Sequence, residues 1–524
     1  MGQDKKPVEG FDDASAEPGI WRYAMADRAS VIVDAEDYFA LMQEAMLKAR
    51  RRVLLIGWDF DTRIHLRKGR RWWQRGWRDQ YPSRLGSFFV WLTRHNRQLE
   101  IRILKWGFGF LKFLTRGTML LDIARWALHG RIDFKFDSVH PLACCHHQKI
   151  VIVDDRLAVC GGIDMTGARW DTRQHSAQDP RRRGPDGHEH GPWHDMTMMM
   201  EGDIARSLDA LGRARWVRAG GKPLKPVPEM PGSAWPEELV PQFENVEIGI
   251  ARTRAQYNGW PEVNEILQLF LQQIARAKRF IYIENQYFAS REIAEAISRR
   301  LQEDDPPEIV LVHPLSASGW VESQTMDPIR TRLVQAMKDV DSKNRFHIYC
   351  PYSGDVPVYV HAKLMIVDDE IVRIGSANFN NRSMGLDSEC DVFIDAKRPA
   401  NGHCGEVIRN LRYSLLAEHC GLAPAEVGPL LEKAGSMAAM IAALGDSRDH
   451  RLVPYQPEEL GELERELVDR ETFDPEEPPE LFEIIPRRRG LFRQGSLLGR
   501  AVAKLDSIER KRKTRKNEQL GRSG

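Results

Sequence analysis

The 524-residue sequence predicts an α/β protein built from two similar halves. Three observations carry that expectation. Short apolar runs alternate with segments of helical periodicity, as in sheets covered by helices on both faces. One polar pattern occurs twice, as His147-Gln148-Lys149 leading to Asp154 and as His361-Ala362-Lys363 leading to Asp368. The pairs His147/His361, Lys149/Lys363, Asp154/Asp368 and Gly161/Gly375 are each 214 residues apart, with Asp164 and Asn378 in the same register, so the chain is an internal duplication.

Residues 1–20 are polar and are expected to be disordered. The first half, residues 21–220, opens with a helix at Asp37–Lys48 and a buried strand at Arg52–Trp58. Trp72, Trp73 and Trp77 fall in a basic stretch expected to be an exposed loop. Then come a helix at Leu85–Arg94, a strand at Leu99–Trp106, a helix at Gly109–Leu128 and a strand at Arg131–Phe136. After the first motif, Gln174–Gly191 is rich in Pro, Gly and Arg and reads as a surface loop, and Met196–Met200 as a strand. Pro-rich residues 221–242 read as the linker. The second half, residues 243–421, repeats the logic. Its strands are Val246–Ile250, Phe280–Glu284, Ile309–His313, Phe346–Cys350 and Val392–Asp395. One helical face joins Val263, Ile266, Leu267, Phe270 and Ile274; further helices cover Ile293–Leu301 and Gly402–His419. Residues 422–524 form a disordered or helical tail, acidic over Glu458–Glu483 and basic over Arg487–Lys516.

The motif has a physical logic. Residues i and i+2 of a strand share a face, so each His projects with its Lys. The apolar runs that follow, Ile150–Val153 and Leu364–Val367, suit strands buried on both sides, with Asp154 and Asp368 as turn residues at their ends. A His–Lys pair beside a Gly-rich turn (Gly161, Gly162; Gly375) suits a phosphate. Lys supplies fixed charge, Gly admits backbone N–H groups, and His attacks or carries a proton.

Bulk composition excludes other classes. Lys+Arg 76 against Asp+Glu 75 gives no bias towards nucleic acid. Seven cysteines, two of them adjacent (Cys144-Cys145), make a poor disulfide framework and point to reduced thiols in a cytosol. No apolar N-terminal signal is seen, and the myristoylation pattern fails after Gly2. The stretch Trp106–Leu128 is interrupted by Lys112, Arg116, Asp122 and Arg125 and cannot span a bilayer. The expectation is a cytoplasmic protein, soluble or peripheral on a membrane. The spacing of His188, His190 and His194 fits neither a helical HExxH nor a zinc ribbon, so no metal is expected, and no cofactor.

His146–Asp171 and His361–Val392 resemble the two catalytic motifs of the phospholipase D superfamily. Ile281–Phe288 (IYIENQYF) and Gly191–Asp195 (GPWHD) are similar to segments of phospholipases D proper. The resemblance covers about residues 30–420 and implies a pseudo-twofold, bilobal molecule of two α/β/α sandwiches with one composite site. It implies His147 as nucleophile and His361 as general acid, with a phosphohistidine intermediate. Lys149, Lys363, Asn378 and Ser376 would bind the phosphate, and Asp195 and Glu389 would hold the imidazoles. Asp164, being anionic, is expected to be structural. Lysines do the charge neutralisation, so the chemistry requires no metal. The implied reaction is hydrolysis of phosphatidylcholine or phosphatidylethanolamine to phosphatidic acid, with water or an alcohol as acceptor. The phospholipid and its membrane surface are the expected partners.

Three rivals remain at this level: a cardiolipin-synthase-type phosphatidyltransferase, a nucleic-acid phosphodiesterase, and a catalytically dead tethering protein. The IENQYF segment opposes the first, neutral charge the second and two intact motifs the third. In the tail, Leu498, Ala501, Val502, Leu505 and Ile508 share a helical face opposite Arg500, Lys504 and Lys511, the pattern of a basic helix lying on anionic lipid.

Overall fold

The computed structural model describes residues 15 and 17–457, except 68, 70, 72–79, 108–116, 143 and 318–319. The three tryptophans at 72, 73 and 77, the start of the Gly109–Leu128 helix, most of the N-terminal segment and the charged tail lie outside the described residues.

The duplication is complete at the level of topology. In the first half the strands are β1 (Arg22–Val33), β2 (Arg52–Gly57), β3 (Glu100–Trp106), β4 (Ile132–Asp137), β5 (Ile150–Val153), β6 (Leu157–Gly161), β7 (Trp193–His194) and β8 (Met196–Gly202). The second half has β9 (Phe243–Arg254), β10 (Val263–Asn264), β11 (Phe280–Asn285), β12 (Glu308–Val312), β13 (Phe346–Ser353), β14 (Val356–Pro357), β15 (Tyr359–Val360), β16 (Lys363–Val367), β17 (Ile371–Gly375) and β18 (Glu389–Asp395), then β19 (His450–Pro454). The first sheet runs β4-β3-β2-β5-β6-β8-β1, with β2, β3 and β4 parallel and the rest antiparallel. The second runs β13-β12-β11-β16-β17-β18-β9 with the same pattern of directions. β1 and β9 are long because each serves more than one partner, and they pair with each other from Arg22↔Ile250 to Ala29↔Phe243. That antiparallel pair joins the two sheets.

The helices follow from where the apolar faces point. α1 (Ala35–Leu47), α2 (Leu85–His95) and α3 (Met119–Ala127) cover the outer face of the first sheet, burying Phe39, Met42, Phe88, Phe89 and Trp126. α5 (Glu265–Arg276), α6 (Arg291–Leu301) and α7 (Trp320–Val340) do so for the second sheet. Between the sheets lies a core shared by both halves, into which α4 (Asp203–Arg218) puts Leu208 and Trp216 and α8 (Cys404–Cys420) puts Leu415 and Leu416. Each half is therefore an α/β/α sandwich, as expected from sequence. Val263 departs from its expected helical face and sits in β10, because Glu265 is the first helical residue.

Both motif aspartates are turn residues. Asp154 and Asp155 have φ of 55° and 57°, and Asp368 and Asp369 have 56° and 58°, the left-handed conformation a tight hairpin needs. Asp154 accepts the backbone N–H groups of Arg50, Arg51 and Arg52 at 2.6–2.8 Å. Asp368 does the same for Lys278, Arg279 and Phe280 at 2.7–2.9 Å. Each aspartate thus pins the start of the central parallel strand to its own hairpin.

Three segments are more tightly built in than their composition suggests. The loop at 174–191 is anchored by two interior residues, His175 and Arg182, each 2% exposed or less. Arg182 is held by Asp171 and by the carbonyls of Ser176 and Ala177. The linker is docked rather than free: Trp235 packs in the first half's outer core, and Lys48 and Arg50 donate to the carbonyls of Trp235 and Pro231. The second half does not end at 421. α9 (Pro424–Ala434) and α10 (Met437–Leu444) pack on it, Glu308 caps the N-terminus of α10 at 2.8–3.0 Å, and β19 adds an antiparallel edge to β13. Periodicity could not show this, because these elements are short and follow a finished repeat. The seven cysteines are free, buried thiols. Among the described residues no single helix is long and apolar enough to cross a membrane.

A chain ending at residue 421 is expected to unfold at a markedly lower temperature than one ending at 457. It loses the burial of Met437, Met440, Ile441 and Leu452, ~1.5–3 kcal/mol for each fully buried side chain, and it exposes the β13 edge. Equal thermal midpoints for the two chains would place the boundary back at 421.

Candidate active site

The site forms where each half lends a strand to the other. His146 bridges in parallel to Ser388, and the N–H of His147 donates to the Ser388 carbonyl at 2.9 Å. Symmetrically, β15 runs parallel to β7, and the N–H of His361 donates to the carbonyl of His194 at 2.7 Å. These exchanges bring the acid that follows each motif to the histidine of the other half. His361 Nδ1 lies 2.7 Å from Asp195 Oδ2. His147 Nδ1 lies 3.0 and 3.1 Å from the two Glu389 oxygens, and 3.0 Å from the carbonyl of Ser376. A carbonyl only accepts, so His147 Nδ1 carries the proton and Nε2 is left with a lone pair.

The lysines stand beside them. Lys149 Nζ donates to its own motif's His147 carbonyl at 2.8 Å and is 3.5 Å from Asp164 Oδ2. Lys363 Nζ donates to the His361 carbonyl and to Gln286 Oε1, the latter at 3.0 Å. Asp164 also accepts the Trp58 N–H at 3.1 Å, so it orders the turn after β2 and balances Lys149. Both lysines are at most 4% exposed.

Burial sets the protonation. It pushes the carboxyls of Asp195 and Glu389 up to about 7, and the Lys363 ammonium down to about 7. Burial followed by the two lysines holds His147 well below the ordinary imidazole value. His361 is held low by burial, then by Lys363, Arg169, Lys149 and His147. The two lysines stand in a dry site, where their charge on a bound phosphate would be little screened.

The glycines of the motif are there for space. A Cβ on Gly161 would strike Thr197, on Gly162 the Asp195 carboxylate, and on Gly375 the Asp391 carboxylate. Ser376, expected to bind phosphate, occupies the place in the second half that Gly162 has in the first and turns its hydroxyl to a carboxylate. Its hydroxyl donates to Glu389 Oε2 and accepts the Cys390 N–H at 3.0 Å, and the residue is fully buried. It supports the carboxylate, together with Ser383, whose hydroxyl donates to Glu389 Oε1 at 2.7 Å. The side-chain oxygen of Asn378 is buried without a hydrogen-bond partner, while its N–H donates to Ser383 Oγ.

Residues 270–411 match the family described as "Cardiolipin synthase, PLD-like domain". Phospholipase D alpha 1 of Zea mays is 26% identical over 405 residues, covering 53% of this chain and 49% of that protein. Phospholipase D A of Dictyostelium discoideum is 25% identical over 498 residues, covering 78% of this chain and 37% of its own. Phospholipase D1 of Saccharomyces cerevisiae is 24% identical over 546 residues, with coverages of 84% and 31%. The chain is thus similar to phospholipases D, and residues 270–411 match a PLD-like domain. The chain spans half or less of the length of these curated relatives. The solved phosphatidylserine synthase of Haemophilus influenzae aligns over 80% of this chain and 96% of that one, at 12% identity and a TM-score of 0.47.

Beyond the residues the superfamily resemblance supplied, the structure adds an aromatic wall to each histidine. Trp58 stands edge-on to His147 (6.2 Å between ring centroids) and stacks on Trp106. Trp193 lies 5.1 Å from His361, stacks on Tyr359 at 4.5 Å and carries the Arg169 guanidinium 4.2 Å above its ring. Gln286 joins Lys363 to the hydroxyls of Tyr287 and Tyr359. Arg169, Trp193, Gln286 and Tyr287 lie in the segments that carried the resemblance, whereas Trp58, Trp106 and Tyr359 do not.

The crossed pairing predicts crossed coupling. In double-mutant cycles of unfolding free energy, Glu389→Gln with His147→Ala is expected to show an interaction of ~0.5–3 kcal/mol. Asp195→Asn with His361→Ala should do likewise. Glu389→Gln with His361→Ala should be additive within ~0.5 kcal/mol. The reverse pattern of coupling would contradict the exchange between halves.

Proposed function

We propose that this protein is a phospholipase D, hydrolysing the distal phosphodiester of a glycerophospholipid such as phosphatidylcholine or phosphatidylethanolamine. The observation that carries the proposal is the pair of imidazoles, each held through Nδ1 by a carboxylate of the opposite half and each beside a buried lysine. His147 Nε2 attacks phosphorus, and the bond from phosphorus to the headgroup oxygen breaks as His361 passes a proton to that oxygen. The phosphohistidine is then opened by water, which gives a proton to His361; the P–N bond breaks, and phosphatidic acid leaves. An alcohol in place of water gives the phosphatidyl alcohol. Lys149, Lys363 and the Asn378 amide stabilise the added negative charge on the phosphoryl oxygens. The anionic substrate also offsets the lysines that hold both imidazoles low, and so restores the proton His361 must deliver.

His147→Ala and His361→Ala should each fold normally and lose turnover by well over ~10², because general acid–base catalysis alone is worth ~10²–10⁴. Labelled phosphatidylcholine with ethanol should give phosphatidylethanol, and acid-quenched phosphoenzyme should map to His147. Label on His361 would reverse the roles, and turnover above about a hundredth of wild type in either variant would end the two-histidine mechanism.

Access to lipid is proposed to involve the basic segment at 487–524. Its deletion is expected to weaken binding to anionic vesicles and slow hydrolysis there, each Lys or Arg at the surface being worth ~1 kcal/mol. Hydrolysis of a monomeric short-chain lipid should be unchanged. Equal vesicle binding with and without the segment would remove this role.

A further inference from the structure

Below His361 lies a second group of titratable side chains that the phosphodiester chemistry does not use. Asp34 ends β1, His175 lies in the loop after the first motif, His194 precedes Asp195, and Glu418 comes from α8 of the second half. All four side chains are at most 3% exposed. His175 Nε2 is 3.0 Å from Glu418 Oε1 and 3.4 Å from Asp34 Oδ2. His194 Nδ1 is 2.9 Å from Glu418 Oε1 and 3.3 Å from Asp34 Oδ1.

We propose that Asp34, His175, His194 and Glu418 form a closed structural site for one divalent metal ion, zinc by its ligand chemistry, which clamps the two halves beneath the catalytic centre. One ligand atom from each of the four lies within 4.8 Å of the others, and the four separations above are near the ~3.3 Å ligand–ligand edge of a tetrahedral ion with bonds of ~2.0–2.1 Å. Two imidazoles and two carboxylates are ligands that zinc accepts.

Hydrogen bonding does not account for the cluster. His194 Nδ1 and Asp34 Oδ2 are fully buried, sit within 3.5 Å of opposite partners, and have no hydrogen bond. An unmade hydrogen bond on a buried donor or acceptor costs ~1–3 kcal/mol, and two facing one point call for a ligand there. Asp34 is also held at φ 66°, a costly conformation for a residue other than glycine.

The outer contacts have the form metal sites use. The remaining nitrogen of each histidine is taken by a carboxylate: His175 Nδ1 by Asp171 at 3.0 Å, and His194 Nε2 by Glu284 at 2.7 Å. Glu284 in turn accepts the Tyr282 hydroxyl and faces His419 Nε2 at 3.1 Å, while Glu418 Oε2 receives Arg173. The neighbouring trio His194, Glu284 and His419 is already satisfied by these aligned bonds and needs no ion.

Charge points the same way. Asp34, Asp171, Glu284 and Glu418 meet only two guanidinium groups in these contacts, Arg173 on Glu418 and Arg182 on Asp171. With neutral imidazoles the surplus is two negative charges, which one divalent cation cancels. The competing arrangement is two protons on the imidazoles, and experiment separates the two. The exposed loop histidines His188 and His190 take no part: His190 Nδ1 faces the Gly191 carbonyl, and His194 points inward away from them.

Untagged full-length protein, loaded with zinc and desalted, should retain about one equivalent per chain by elemental analysis. Exchange with cobalt should give the visible absorption of a tetrahedral N/O site. Asp171→Asn, which touches no ion, should weaken zinc binding by ~10–100-fold. His175→Ala and Glu418→Gln should lose the bound ion, while His188→Ala and His190→Ala keep it, with circular dichroism checking the fold of each. Wild-type protein that stays folded yet binds no zinc or cobalt under loading would overturn the proposal in favour of the protonated cluster. So would zinc retained equally by folded Asp171→Asn, His175→Ala and Glu418→Gln.

Discussion

The contact on which the rest of this structure depends is the carboxylate of one half against the imidazole of the other. Glu389 on His147 and Asp195 on His361 are buried ionisable pairs, and neither half can satisfy its own histidine. Removing one partner of either pair from the assembled molecule would leave the other unpaired in a dry interior, a cost of several kcal/mol. The shared apolar core and the long β1–β9 pair hold the halves in the one orientation where those bonds close. Fold and chemistry are thus stabilised by the same interface.

The two halves have the same topology but unlike side chains, and the differences fall at the site. Ser376 stands where the first half has Gly162, so Glu389 is held by two hydroxyls, while Asp195 takes the N–H of Met196 and lies against the space a side chain would fill. Asn378 stands where the first half has Asp164, so Lys149 has an anion beside it and Lys363 has the neutral Gln286. In the proposed double displacement, such asymmetric neighbours would suit one imidazole to attack and the other to move protons.

The buried His–carboxylate cluster extends this interface below the catalytic floor. Asp34 accepts the Asp195 N–H at 3.0 Å and donates its own N–H to the Asp195 carbonyl, and His194 accepts the His361 N–H at its carbonyl. Whatever neutralises the cluster therefore fixes the backbone from which Asp195 and His361 project. A shift there would move the acid and its histidine together relative to the opposite pair.

The sequence by itself determined the duplication, the α/β class, the two His–Lys pairs and the turn role of Asp154 and Asp368. Those are matters of local spacing: a period of two along a strand, a repeat of 214, a turn where an apolar run ends. Asp195 and Glu389 were also legible as holders of the imidazoles, through resemblance. Only the tertiary structure decided which acid serves which histidine, because the crossing arises from strand exchange between segments more than 160 residues apart. It also decided that Ser376 props a carboxylate, that His175 and Arg182 leave their polar loop for the interior, and that residues past 421 complete a sheet. Each of these depends on what lies across a packed interface, and the periodicity of one segment does not encode its neighbour in space.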